Sequence, residues 1–202
     1  IYSNFDLESK LWSSGIKIIA GLDEVGRGSF AGPVVAGAVV FPSNIKLSRK
    51  LADSKLLKEN VREELADFIK QTALAWAIGE SSVEEINELG IGKATQKAFG
   101  RAVKALKSAP EFLLIDAFYI EEFTKRIQRP VKNGDKICAS ISAASIIAKV
   151  YRDNLMGELD KEYPQYGFDQ HKGYGTKMHR DRIKEHGLSD LHRKSFNLDK
   201  FL

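Results

Sequence analysis

Four acidic residues stand at or just beyond the ends of predicted strands, where they could share divalent cations. They are Asp23, Glu24, Asp116 and Asp135. If their carboxylates converge, mutual repulsion raises their pKa values unless cations lie among them, and oxygen ligands favour Mg²⁺ or Mn²⁺ over Zn²⁺. Two such ions about 4 Å apart could hold the attacking and leaving oxygens of a phosphodiester. Each acid taken alone could instead be an exposed turn residue, a reading that is weakest for Asp116 because four apolar residues precede it.

The first two acids are neighbours in the chain, and this limits how they can act together. Successive side chains of a strand point to opposite faces, so Asp23 and Glu24 cannot both reach one ion if the strand stays regular. Either the strand ends at this point or Glu24 also contributes its backbone carbonyl.

A glycine-rich segment directly follows these two acids. Gly26, Arg27 and Gly28 begin a turn that leads from the first predicted strand into the second. Glycine permits positive φ and the close approach of another backbone, and the guanidinium fork of arginine matches phosphate. The segment is therefore suited to contact a sugar-phosphate chain. A tight hairpin whose arginine pairs with Glu24 fits the same residues.

A predicted long helix carries polar residues on one face that could contact the same backbone. Ser142, Ser145, Lys149 and Arg152 are spaced so that they share this face. Contact with phosphate is the sharper hypothesis, and simple solvation of the face is the alternative.

Aromatic and basic residues are mixed between Tyr163 and His179. Aromatic rings there could stack on sugars or bases while Lys172 and Lys177 neutralise phosphate. The alternative is a surface loop with one packed tyrosine. The histidines are separated by seven, six and five residues, which is not the spacing of a helical zinc site, so most are predicted to lie at the surface or to face phosphate. They are His171, His179, His186 and His192.

The amino-acid composition limits which classes of protein the chain can belong to. The 202 residues are 43% hydrophobic and 29% charged with a net charge of +4, which is typical of a globular domain and compatible with nucleic acid. The single cysteine, Cys138, excludes an internal disulfide. No apolar window of about eighteen residues and no secretory signal are visible, so we expect a cytoplasmic protein without a membrane span. GxSxG, P-loop and dinucleotide-binding motifs are absent.

Apolar runs and helical periodicity predict strands that alternate with helices. This order favours an α/β fold in which a sheet is layered between helices, in one domain over residues 1–202. Residues from about 163 to 202 are predicted to form a small C-terminal appendage of helices and loops. The predicted strands are 18–22, 34–41, 73–78, 112–115 and 130–135, and the predicted helices are 1–15, 91–107, 139–161, one from about 55 and a capped turn at 81–85.

Taken together, these residues resemble bacterial ribonuclease HII, the type 2 ribonuclease H family. The resemblance runs through nearly the whole chain, in one order, and its motifs are GLDEVGRGSFAGPVVAGAVVF, ADSK at 52–55, LLIDA at 113–117, NGD at 133–135, SISAASIIAKVYRD at 140–153 and YPQYGFDQHKGYGTKMH at 163–179. It implies a ribonuclease H-like mixed sheet and an endonuclease that cuts the RNA strand of RNA–DNA hybrids. It also implies incision 5′ of a single ribonucleotide in duplex DNA, by two-metal-ion catalysis with Mn²⁺ or Mg²⁺ that leaves 5′-phosphate and 3′-hydroxyl ends.

The same resemblance assigns roles to particular residues. It makes the four acids the metal ligands, and it makes Gly26, Arg27 and Gly28 the loop that reads the ribose 2′-hydroxyl. Tyr174 corresponds to the tyrosine that stacks on the deoxyribose after a ribonucleotide. Further substrate contacts are expected from the polar helix face and the loops beside it, namely Lys55, Ser142, Lys149, Arg152 and Lys172.

The sequence departs from the family pattern at three positions. Ala117 stands where a glycine usually follows the third acid, which is expected to shift that loop slightly. Asn133 replaces a lysine directly before Gly134, and Lys58 replaces a serine expected to cap a helix, which weakens that cap by ~1 kcal/mol.

Two alternatives of other classes remain open at this point. One is a non-catalytic module that binds RNA–DNA hybrids, and four acids facing phosphate argue against it. The other is a different metal nuclease or a transposase-like enzyme on the same sheet, which would cut all-DNA duplexes. A monomer is expected in each case, and the absence of an extension past Leu202 argues against an added partner-binding motif in that region.

Overall fold

The chain folds around a mixed sheet, as a computed structural model that describes residues 2–51, 54 and 57–202 shows. Within these residues the sheet has five strands, β1 Ile19–Val25, β2 Val34–Val40, β3 Ala75–Ser81, β4 Phe112–Asp116 and β5 Gln128–Val131. Their order in the sheet is β3-β2-β1-β4-β5, and β1 pairs antiparallel with β2 but parallel with β4. β2 and β3 pair antiparallel, and β4 and β5 pair parallel.

Helices cover both faces of this sheet. In the described residues they are α1 Asp6–Ser13, α2 Glu59–Thr72, α3 Val83–Ala105, α4 Gly134–Ile137, α5 Ala139–Glu162, α6 Phe168–His171 and α7 Lys177–His186. One core cluster joins Ile86 and Phe99 of α3 to Leu22 and Ala36, and a second joins Ile147 of α5 and the neighbouring helix α2 to the opposite face. All seven residues of β2 are buried, as expected for a strand covered on both sides.

The predicted sheet between helices is confirmed, and the differences are local. The capped turn and the helix after it form one element, α3, which bends at Gly90 (φ 79°). α2 begins at Glu59, and Lys58 caps it without a side-chain hydrogen bond, as the sequence predicts. After α5 the chain forms α6, α7 and short 3-10 turns, which join the glycine-rich segment through the pairing of Ala31 with His192.

The long helix α5 lies directly on the strand that carries the first two acids. A Cβ at Gly21 in β1 would overlap the backbone of Ser140 and Ile141, so a glycine is required for this close approach. The approach places the small residues at the start of α5 against the first half of β1, just before Asp23. None of the helices in the described part of the chain has the length and apolar character needed to span a bilayer.

Candidate active site

Three of the four acids lie at the same edge of the sheet. The parallel pairing of β1 with β4 ends at Leu22 and Ile115, so Asp23 and Asp116 are the next residues of the two strands. Asp135 lies in the first turn of α4, directly after β5, which runs parallel to β4. The carboxyl ends of parallel strands are the usual location of sites in open α/β sheets.

Asp23 is the most electrostatically perturbed of these acids. Its side chain is buried, and burial raises its pKa well above the usual value, as do the neighbouring charges of Glu24 and Asp116. A hydrogen bond with the Ser145 hydroxyl and one from the Glu24 backbone N–H, 2.8 Å from Asp23 Oδ1, act in the opposite direction. Three of the predicted acids therefore interact electrostatically, and of these Asp23 is buried while Glu24 and Asp116 are half-buried.

A backbone hydrogen bond links the third acid, Asp116, to the residue directly before the fourth acid, Asp135. The Gly134 N–H donates to Asp116 Oδ1 over 2.7 Å, which fixes α4 against the end of β4. Asn133 precedes this contact in the left-handed conformation (φ 54°, ψ 42°), which asparagine tolerates better than most residues. The substitution of asparagine for the expected lysine therefore suits the turn that presents Asp135.

The alanine after the third acid adopts an unfavourable backbone conformation. Ala117 has a φ of 59°, and a Cβ in this region costs about 1 kcal/mol relative to glycine.

We therefore expect Ala117→Gly to raise the free energy of unfolding by about 0.5–1 kcal/mol, measured by urea denaturation. Ala73, with a φ of −69°, is the control, because glycine there adds unfolded-state freedom and removes a methyl group packed against the core, so it should destabilise. Equal effects at both positions would contradict this explanation.

The oxygen donors at this edge of the sheet fit Mg²⁺ or Mn²⁺, although the acidic side chains are not arranged as a complete coordination site. β1 remains regular through Val25, so Asp23 and Glu24 point to opposite faces. Among the described residues, no three acidic, histidine or cysteine side chains are arranged closely enough to hold an ion as they stand. A cation at this edge would nevertheless offset the charge repulsion that raises the Asp23 pKa.

The glycine-rich segment presents an open surface beside the acids. Gly26 has a φ of 86°, and a Cβ there would overlap the Arg152 guanidinium. At Gly28 a Cβ would meet no atom of the described residues within 4 Å, apart from its neighbours in the chain, so packing there does not require a glycine. The exposed Arg27 guanidinium lies 4.6 Å from the ring centroid of Phe118. The tight hairpin whose arginine pairs with Glu24 stays a prediction.

The structure places Arg152 in the interior, which argues against the predicted phosphate contact. The side chain is fully buried, and its guanidinium donates to the carbonyls of Pro33, Lys172 and Ala31 over 2.8–3.0 Å. Ser142 is buried as well. The polar face of α5 therefore faces the protein's own loops, and Arg152 joins the segment after Gly28 to the segment before Tyr174.

Lys149 and Lys172 line an open cleft beside Tyr174. Lys149 Nζ is 2.6 Å from Asp153 Oδ1 and Lys172 Nζ is 2.9 Å from Asp169 Oδ1, so an acid already offsets each charge. The Tyr174 ring lies 5.6 Å from Lys149 Nζ. These positions remain compatible with substrate contact. The predicted contact at Lys55 lies outside the described residues.

The histidine prediction is wrong for three of the four residues. His171, His179 and His192 are buried and packed against one another, and we call them the histidine cluster. Arg193, which follows them, is also fully buried and donates to the carbonyls of Gly32 and Arg27. No periodicity in the sequence marks these residues. The histidines bond to backbone atoms a few residues away and His179 bonds to the ring of His192, while the carbonyls bound by Arg193 belong to a distant segment.

Comparison with known proteins identifies the family. The sequence model of the Ribonuclease HII family matches residues 20–199. The chain is 50% identical over 189 residues to Ribonuclease HII of Desulfitobacterium hafniense (strain DSM 10664 / DCB-2), covering 94% of this chain and 72% of that protein. It is 51% identical over 185 residues to Ribonuclease HII of Vibrio parahaemolyticus serotype O3:K6, covering 92% and 87%.

Solved structures share the fold at lower identity. Ribonuclease H2 from Pyrococcus horikoshii OT3 superposes with a TM-score of 0.73 at 24% identity, covering 91% of this chain and 96% of that one. Bst-RNase HIII, solved in complex with Mn²⁺, superposes with a TM-score of 0.64 at 18% identity, covering 96% and 72%. The family match over residues 20–199 and the identity to bacterial relatives show that this chain belongs to the ribonuclease HII family and is a ribonuclease H endonuclease.

Proposed function

We propose that the enzyme hydrolyses the RNA strand of RNA–DNA hybrids and cuts duplex DNA on the 5′ side of a single ribonucleotide, leaving 5′-phosphate and 3′-hydroxyl ends. The observation that carries the proposal is the interaction of buried Asp23 with Glu24 and Asp116 at the point where the glycine-rich segment leaves β1. We further propose that it acts as a cytoplasmic monomer in ribonucleotide excision and removal of RNA primers.

Asp23, Glu24, Asp116 and Asp135 would hold two divalent cations, Mg²⁺ or Mn²⁺. When bound, such ions polarise the scissile phosphate and favour formation of the nucleophile from water. Glu24 points away from Asp23, so its backbone carbonyl is a further ligand candidate. Mn²⁺ in Bst-RNase HIII supports a divalent site on this fold.

Recognition of RNA is assigned to two elements that face the same region. The backbone of Gly26, Arg27 and Gly28 would contact the ribose 2′-hydroxyl, which distinguishes RNA from DNA. Tyr174 would stack on the next deoxyribose, where a 2′-hydroxyl would clash. Residues 163–202 would form the substrate-contacting appendage, with Lys149 and Lys172 near the phosphates.

The open space at Gly28 gives a direct test of recognition by the loop. Because an added Cβ meets no atom within 4 Å in the described part of the chain, we expect Gly28→Ala to leave the melting temperature unchanged but to lower kcat/KM on an RNA–DNA hybrid by about tenfold or more. Gly92→Ala, at a second open position in α3, is the control that should retain full activity. Full activity of the Gly28 variant would contradict close approach of the substrate to this loop.

The proposed reaction is tested with a labelled DNA duplex that contains one ribonucleotide, incubated with Mg²⁺ or Mn²⁺. We expect a single cut on its 5′ side, abolished by chelator and by Asp116→Asn. Comparable cutting of an all-DNA duplex would contradict recognition of the 2′-hydroxyl. Binding without cutting in either metal would contradict the role assigned to the acids.

A further inference from the structure

The backbone of Tyr174 is fixed at both of its polar atoms. Its N–H donates to the carbonyl of His171 over 2.9 Å. Its carbonyl accepts a hydrogen bond from the Thr176 N–H at 2.8 Å and lies 3.0 Å from Nδ1 of His179. The position of the Tyr174 ring therefore depends on the side chain of His179 as well as on the local turn.

The hydrogen bonds around His179 allow only one arrangement of protons. The Ser189 N–H donates to Nδ1 of His192 over 2.9 Å, so this nitrogen carries no proton and Nε2 of neutral His192 must carry one. That proton is donated to Nε2 of His179 across 3.1 Å. His179 then carries its own proton on Nδ1, where it donates to the Tyr174 carbonyl.

Burial makes this chain of hydrogen bonds difficult to replace with water. His179 and His192 are fully buried, and His171 stacks on His179 with ring centroids 4.3 Å apart. Phe168 packs edge-on against His179 at 5.6 Å. A buried donor or acceptor that loses its partner in such surroundings costs about 1–3 kcal/mol. This series of hydrogen bonds therefore favours a single position of the Tyr174 peptide.

The next residue extends the same support to the glycine-rich loop. Arg193 donates through one terminal nitrogen to the carbonyl of Arg27 over 3.0 Å and through the other to the carbonyl of Gly32 over 2.7 Å. The Arg193 N–H also donates to the Phe30 carbonyl. Two consecutive residues thus reach both elements assigned to recognition of the ribonucleotide. His192 contacts His179, which bonds to the Tyr174 carbonyl, and Arg193 bonds directly to the Arg27 carbonyl.

We propose that His192 is a positioning residue that fixes Tyr174 through His179 and thereby sets the preference for a ribonucleotide followed by deoxyribonucleotides. This inference rests on the proposed role of Tyr174. His192 does not touch the substrate; it determines which tautomer of His179 is present and so whether the Tyr174 carbonyl is held.

A matched pair of amide variants tests the proposal. Glutamine places an amide near the Nε2 position of histidine and can still donate to His179, whereas the shorter asparagine reaches only the Nδ1 position. We expect H192N to lower kcat/KM on a duplex with one ribonucleotide by about tenfold or more, since misplacement of a contact group by about 1 Å has effects of this size. Cleavage of a uniform RNA–DNA hybrid should change less than twofold, and H192Q should restore the preference.

The outcomes separate this inference from the proposed function. If wild-type enzyme does not cut at the single ribonucleotide, the proposed function fails. If it cuts and H192N keeps the wild-type ratio between the two substrates, or if both amides lose both activities equally, the positioning role is overturned. Nitrogen-15 NMR of the wild-type histidines requires no variant: protons on Nδ1 of His179 and Nε2 of His192 support the proposal, and a proton on Nε2 of His179 contradicts it.

Discussion

Asp23→Asn should abolish cleavage and at the same time make the metal-free protein more stable. The asparagine has nearly the same shape and can still accept hydrogen bonds, but it carries no charge beside Glu24 and Asp116. We expect kcat to fall by about 10³-fold or more, because a ligand of the catalytic cations is lost. The free energy of unfolding in EDTA at pH 7 should rise by about 1–2 kcal/mol, a gain of the size that relief of an active-site conflict commonly gives.

The sign of the stability effect follows from the direction of the Asp23 pKa. Burial, then the charges of Glu24 and Asp116, raise this pKa in the folded protein above its usual value of 3.8. The folded state therefore binds the proton more tightly than the unfolded state. The stability falls as the pH rises from the unfolded-state pKa of Asp23 to its higher folded-state pKa. The advantage of the asparagine variant should accordingly disappear in acid, where Asp23 is protonated.

Thermal unfolding with and without divalent cations measures both halves of this prediction. Mg²⁺ or Mn²⁺ should raise the melting temperature of the wild type more than that of the variant, because a ligand that binds only the folded state stabilises it. Asp67→Asn, on the exposed surface of α2, is a matched loss of one carboxylate that should keep both activity and the response to metal. An Asp23 variant that is less stable than wild type in EDTA would show that its charge is already compensated.

The location of the acids could be predicted because it depends on local patterns. Phe112 to Ile115 is an apolar run followed by Asp116, and a strand buried on both faces has this appearance. The first strand has a similar pattern before Asp23. The parallel pairing of the two strands then brings their ends together, which the alternation of strands and helices already favoured.

The roles of Arg152 and of the histidine cluster could not be predicted in the same way. Periodicity shows that a helix has a polar face but does not show whether solvent or another segment covers it. Arg152 is covered by the loops that contain Ala31 and Lys172, which lie more than a hundred residues and twenty residues away in the chain. His192 likewise meets His179 only because the C-terminal turns fold back over α7.

The stability of the enzyme should fall steeply as the pH is lowered from 6.5 towards 4. Burial, followed by the charge of His171, lowers the pKa of His179 to about 4, and burial lowers that of His192 to about 4, both from 6.5. In this window the unfolded state binds more protons than the folded state, so stability is complete above pH 6.5 and is lost as the pH falls. At pH 5 the loss is about 2 kcal/mol for each of the two histidines.

Urea denaturation across pH 8 to 4.5 measures this loss, and variants identify its origin. The double variant H179N/H192Q should be less stable at pH 8 but should lose less stability on acidification, because two groups that must be neutral in the folded state are gone. Asp23 acts in the opposite direction over the same range, since its raised pKa favours the folded state in acid, so the comparison is made between variants at each pH. A double variant with the full wild-type slope would place the acid sensitivity elsewhere and would mean that the cluster accepts protons without unfolding.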